Sequence, residues 1–141
     1  MDGPPNLRGI KKFAVEQAPA DTVAVPPRSV DTARTVAVIG GGPSGLTCAY
    51  FCALMGHRVT VFAEREQLGG LLRYGIPAYR FPRERLDEAI RGIMNAGTIT
   101  ARRGAPLGLT AMREIAATYH PVYVALGAPP GQSHRTEGPG P

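Results

Sequence analysis

Gly40, Gly42 and Gly45 stand in the spacing G-x-G-x-x-G within the stretch VAVIGGGPSGL, Val36 to Leu46. The chemistry served by that spacing is the holding of a diphosphate. Gly40 permits a tight turn out of a strand, Gly42 lets a pyrophosphate lie against bare main chain, and Gly45 with Ala49 lets the next helix pack closely on its sheet. The helix start supplies free N–H groups and a partial positive charge to the phosphates. Sites of this type usually place an acidic residue at the end of the second strand, on the adenosine ribose. In VTVFAERE the candidate is Glu64, although length alone puts the acid at position 63, which is Ala63. Glu64 is therefore expected either to reach the ribose or to serve in a surface salt bridge, and Glu66 is the poorer candidate.

Positioning these residues requires particular elements on either side. TVAVIG is a continuous apolar strand, PSGLTCAYFCALMG a helix that Gly56 closes, and HRVTVF a second apolar strand. Short apolar strands alternating with helices predict a parallel sheet covered on both faces. The stretch AEREQLGGLLRYGIPAYRFP then reads as a loop. In RERLDEAIRGIMNAG, Leu86, Ile90, Ile93 and Met94 share one helical face, with Asp87, Glu88 and Arg91 turned away. TITA is a third strand, Thr110 is expected to cap a helix carrying Met112, Ile115 and Tyr119, and PVYVALG is a final buried strand. The order β-α-β-loop-α-β-α-β gives an α/β, Rossmann-like unit that holds a nucleotide at the C-terminal ends of its strands.

Leu7, Ile10 and Phe13 recur at near-helical spacing, so residues 6–16 are expected to form a short amphipathic helix. The chain thus divides into an N-terminal helix and Pro-rich linker at 1–33, a nucleotide-binding unit at 34–128 and a Pro/Gly-rich tail at 129–141.

Composition narrows the function. With 141 residues, 43% hydrophobic and 19% charged, the chain is an ordinary globular protein. Its net charge of +5 comes from arginines scattered between Arg8 and Arg135 without aromatic interleaving, which argues against nucleic acid. No apolar run approaches the roughly 20 residues that span a bilayer, and MDGPPNLRGIKK has no hydrophobic signal core. Cys48 and Cys52 are the only cysteines, so no disulfide framework exists and the cytoplasm is the expected compartment. One helical turn apart, the two thiols read as buried packing. His57, His120 and His134 are too dispersed for a metal site, and no acid–base or nucleophilic constellation assigns a catalytic residue. A bound cofactor that performs the chemistry itself accounts for that absence.

The block Gly69-Gly70-Leu71-Leu72, Arg73-Tyr74-Gly75-Ile76-Pro77, Tyr79-Arg80-Phe81-Pro82, followed by a long helix and a strand ending in Ala125-Leu126-Gly127, resembles the flavin domain of the glutamate synthase small-subunit family, which includes the flavin region of dihydropyrimidine dehydrogenase. The resemblance runs from about Val36 to Ala128. It implies non-covalent FAD, with Gly40, Gly42, Pro43, Ser44 and Gly45 around the pyrophosphate and Gly70 and Leu71 beside the cofactor. It also implies that Arg80 donates to the cofactor, a role that a bidentate guanidinium suits. NLRGIKKFAVEQ is similar to the family's helix that leads in from a cysteine-rich iron–sulfur domain, so iron–sulfur or other oxidoreductase partners are implied. NAD(P)H is implied as the reductant. A second G-x-G-x-x-G for it, and the iron–sulfur cysteines, are absent from this sequence, which is expected to be the N-terminal portion of an oxidoreductase. An NAD(P)-binding dehydrogenase domain and a non-catalytic nucleotide-binding fragment are the alternatives, and whether the chain itself is an enzyme stays open.

Overall fold

A computed structural model describes residues 5–17 and 26–127; the tail expected at 129–141 lies outside the described residues. The first element is α1 (Leu7–Gln17), whose residues are all exposed apart from half-buried Gly9. There follow β1 (Thr35–Ile39), α2 (Pro43–Leu54), β2 (Arg58–Ala63), the short α3 (Leu71–Tyr74), α4 (Arg83–Asn95), β3 (Ile99–Arg103), α5 (Leu109–Thr118) and β4 (Val122–Val124). The strands form one four-stranded sheet in the order β3-β2-β1-β4, and every pairing is parallel.

The two central strands read as apolar runs because both of their faces are covered. Val36, Ala37, Val38 and Ile39 are each at most 3% exposed. On one face Val36, Val38, Val59, Val61 and Ile99 meet Leu46, Ala49 and Ala53 of α2, with Ile90, Ile93 and Met94 of α4 packed against them. On the other, Ala37, Ile39 and Phe62 meet Ile115 of α5, with Met112 and Tyr119 alongside. The periodic faces assigned to both helices are thus the buried ones. β3 sits at a sheet edge, which is why only Ile99 of its residues is buried and why its pattern is weak.

Four local expectations change. PVYVALG is not a buried strand: β4 lies at the other sheet edge, with Val122 half-buried and Tyr123 and Val124 exposed. Thr110 does not cap α5: the helix begins at Leu109 with Gly108 at the N-cap, and no side-chain hydrogen bond closes it. Residues 71–74 of the expected loop wind into α3, a single turn too short to show a period. Asp87 is not turned to solvent but is half-buried and ion-paired with Arg73.

Residues 29–34 are tied to the domain. Helix C-termini leave carbonyls without partners, and here Ser29 N–H donates to Leu54 O (2.7 Å) and Thr32 N–H to Gly56 O (3.0 Å). Asp31 accepts from Ala33 N–H at 2.8 Å and pairs with Arg58 at 3.2 Å. The Ala33 amide first, and then Arg58, hold its carboxyl below the usual 3.8. A lowered acid stabilises the folded state above its ordinary pKa, and this contribution is lost as pH falls through the lowered value.

Leu46, 3% exposed, joins α2 to the sheet, whereas Leu71 is 72% exposed. Leu46→Ala is expected to lose about 2–5 kcal/mol in urea unfolding, and Leu71→Ala to stay within about 0.5 kcal/mol of the parent.

Candidate functional site

At the C-terminal end of β1 the chain must turn sharply into α2. Gly40 N–H donates to Phe62 O (2.8 Å) and Ala125 N–H donates to Ile39 O (2.7 Å), so the turn is held between β2 and the segment after β4. Gly40 has φ +122°, and a Cβ on it would overlap the Ala125 carbonyl. A Cβ on Gly45 would overlap the Gly40 carbonyl oxygen and approach a Val38 methyl to 3.1 Å. At Gly41 a Cβ would come to 2.6 Å from Leu68 Cδ2 and 2.9 Å from the Ala63 methyl. These three glycines are required by the protein's own packing.

Gly42 is different. It is the N-cap of α2, with φ −85° and ψ −177°, a conformation open to any residue. A Cβ there would meet nothing nearer than Gly70 Cα at 3.8 Å. N-caps favour Ser, Thr, Asp or Asn, with Gly only a few tenths of a kcal/mol behind; α2 has no side-chain cap. Packing does not require a bare backbone at this position.

A second bare strip faces the first. Gly69 N–H donates to Gly41 O at 2.8 Å, and Gly70, at φ +51°, is so near that its Cβ would lie 2.6 Å from Gly42 Cα. Arginines then hold this loop in place. Arg73 donates through Nε to Leu68 O (2.6 Å) and pairs with Asp87. Arg83 donates to the Leu72 and Ile76 carbonyls, 2.6 Å each.

Of the residues picked out in the sequence, Gly40, Gly42, Pro43, Ser44, Gly45 and Gly70 come together at this corner. Pro43 and Ser44 are the exposed first residues of α2, and Leu71 opens α3. Glu64 is exposed, one residue past β2, and Ala63 is the residue whose side chain adjoins the glycine loop. Arg80 is exposed in the turn after Pro77, and its guanidinium has no ion-pair partner among the described residues. Sequence reasoning did not find Leu68, Arg73, Arg83 or Tyr123. Tyr123 of β4 brings its hydroxyl to 3.0 Å from Ser44 Oγ, tying the edge strand to the helix start. Only its place opposite Val38 in the strand register, on the α2 side of the sheet, could have signalled it.

Cys48 and Cys52 are free thiols with their sulfurs 3.9 Å apart, packed against the α2 side of the core. Burial first, and Cys52 beside it, push the Cys48 thiol up to about 11, so it is not an activated nucleophile.

Fold and corner together define a Rossmann-like domain of the nucleotide-binding type. A family of NAD(P)-binding Rossmann-like domains matches residues 38–98. The chain is 40% identical over 104 residues to the glutamate synthase [NADPH] small chain of Mycobacterium tuberculosis, a match that covers 73% of this chain and 21% of that protein. It is 28% identical over 127 residues to the NAD-dependent dihydropyrimidine dehydrogenase subunit PreT of Salmonella typhimurium, covering 90% of this chain and 31% of the relative. The solved structure of FprA from Mycobacterium tuberculosis shares the fold with a TM-score of 0.61 at 16% identity, over 73% of this chain and 24% of that one. The protein is therefore a homologue of the glutamate synthase small-subunit and dihydropyrimidine dehydrogenase group, and it spans between a fifth and a third of the length of these curated relatives. Among the described residues no helix is long and apolar enough to cross a membrane.

If Gly42 is bare for a ligand's sake, stability and binding separate there. Gly42→Asp gives α2 a good cap beside its positive end and is expected to leave stability unchanged or raised by up to about 1 kcal/mol. Its carboxylate, however, would repel a diphosphate. Gly45→Ala is expected to lose about 2 kcal/mol or more through overlap with main chain that cannot move aside. Denaturant unfolding and ADP titration of the same two variants check both halves.

Proposed function

We propose that residues 34–128 hold FAD non-covalently, as the cofactor-binding portion of an NAD(P)H-dependent flavoprotein oxidoreductase. The observation that carries this reading is the close approach of two bare backbones at Gly42 and Gly70, where a Cβ on Gly42 would meet nothing nearer than Gly70 Cα at 3.8 Å. The residues fit the group. The N–H groups at the start of α2, from Ser44 and Gly45, serve the pyrophosphate. Gly70 and Leu71 border the path of the cofactor from the corner, and Arg80, free and exposed, is the guanidinium available to an anionic group. Bound flavin supplies a two-electron acceptor able to release its electrons singly. The protein's own part is to grip, to orient and to shield. The relatives' names support a reductant of the NAD(P)H type and oxidoreductase subunits as partners. Iron–sulfur centres as the next electron carriers rest on the similarity of NLRGIKKFAVEQ, now seen as helix α1, to the family's leading helix.

A nicotinamide dinucleotide at the same corner is the second reading, favoured by the NAD(P)-binding description of the matching domain family. Colour separates the two. The purified protein, incubated with FAD and desalted, is expected to stay yellow and to release FAD on denaturation. A colourless protein that binds NADH instead would support the second reading, and one that retains neither would remove both.

A further inference from the structure

On the far side of Leu68 from the glycine corner, the loop after β2, α4 and the end of β3 enclose a cleft of ≈ 270 Å³, lined by Gln67, Leu68, Arg73, Asp87, Arg91 and Arg103. It continues over Met94, Ile99 and Ala101 into a groove beside the edge strand. Three guanidinium groups and one carboxylate therefore face a small space. Arg73 is spoken for: its side chain is 10% exposed, and it is bound to Leu68 O and to Asp87. The charge of Asp87 is thereby neutralised. Arg91 of α4 and Arg103 of β3 have no ion-pair partner among the described residues, and each lines both the cleft and the groove. The other nearby carboxylate, Glu66, lies against Gly104 and makes no ion pair with either arginine.

Register links the cleft to the corner. Arg103 pairs with Ala63 across β2 and β3, so the two side chains leave the same face of the sheet, and the Ala63 methyl adjoins Gly41 and Leu68. In nucleotide sites of this architecture the end of the second strand meets the adenosine ribose, through a carboxylate where the 2′-hydroxyl is free and through arginine where it is phosphorylated. Here the carboxylate position holds alanine, and arginine stands opposite it.

We infer that this cleft binds a phosphate monoester, clasped between Arg91 and Arg103. Two sources supply that chemistry. One is the ribose 2′-phosphate of a nicotinamide dinucleotide seated on the glycine corner, and this form rests on the second reading of the corner given above. The other is a separate phosphorylated ligand beside FAD, whose ribose bears no such group. Guanidinium is suited to either, because its fixed fork of donors matches phosphate oxygens in pairs.

Calorimetric titration of the full chain with NADP⁺, NAD⁺ and inorganic phosphate tests the inference, alongside Arg91→Gln/Arg103→Gln. NADP⁺ binding about tenfold or more tighter than NAD⁺, with the advantage lost in the double variant and NAD⁺ affinity kept, would assign the ribose phosphate as the source. Inorganic phosphate bound alone, with NADP⁺ and NAD⁺ equal and phosphate affinity lost in the double variant, would assign a separate ligand. If NAD⁺ fails to bind while phosphate binding still needs both arginines, the nicotinamide reading of the corner falls and the cleft stands. Equal NADP⁺ and NAD⁺ affinities without phosphate binding would overturn the proposal, and so would a preference that survives the double variant. Both arginines are exposed, so an unchanged melting temperature is expected, and Arg91→Lys/Arg103→Lys, which keeps the charge, should retain part of the affinity.

Discussion

Two strips of unclothed main chain lie against each other in this domain, Gly40–Gly42 after β1 and Gly69–Gly70 before α3, joined by the Gly69 N–H to Gly41 O hydrogen bond. That contact sets limits for everything around it. Gly40 must be bare because Ala125 closes over it, Gly45 because the Gly40 carbonyl is there, and Gly70 because Gly42 Cα is there. The strand order puts β1 at the centre with β2 and β4 on its flanks, so that both neighbours reach the same turn. Within this packed corner Gly42 alone has room for a side chain and does without one.

The surrounding elements hold that arrangement still. α2 buries Leu46, Ala49 and Ala53 against the sheet, and its small residues let its axis approach closely enough for the N-terminal turn to sit over the β1 end. α4 fixes the second strip indirectly: Leu86 is buried, and Asp87 and Arg83 hold Arg73 and the carbonyls of the GG loop. Ion pairs at a surface contribute little, but Arg73 and Arg83 are largely covered, and their donors satisfy carbonyls that a loop of this kind leaves unpaired. The same scaffold leaves Arg91 and Arg103 exposed on its outer side, beside the cleft between α4 and β3.

The β1-α2-β2 unit, the α4 face and the parallel sheet were legible because burial on both faces writes long apolar runs and burial on one face writes a 3.6-residue period. The glycine spacing was equally legible, and with it the parts of Gly40 in the turn and Gly45 in helix packing; that Ala125 closes over Gly40 and that Gly70 lies against Gly42 was not, since those partners are distant in sequence. Asp87 was misread because a helical wheel considers one helix at a time and cannot see Arg73 arriving from α3. The segment from Gly69 to Arg83 carries three arginines, and only the fold separates the half-buried staples, Arg73 and Arg83, from exposed Arg80. Tyr123 was hidden for the same reason: its partner Ser44 lies 79 residues away.

The account turns on the main chain at Gly42 meeting a diphosphate, and backbone amide shifts observe that meeting directly. In a ¹H–¹⁵N correlation titration with ADP, the largest shifts are predicted at the amides of Gly42, Ser44, Gly45 and Gly70, saturating together along one binding curve. Saturating ADP that leaves those four amides in place, or moves only residues remote from them, would contradict it.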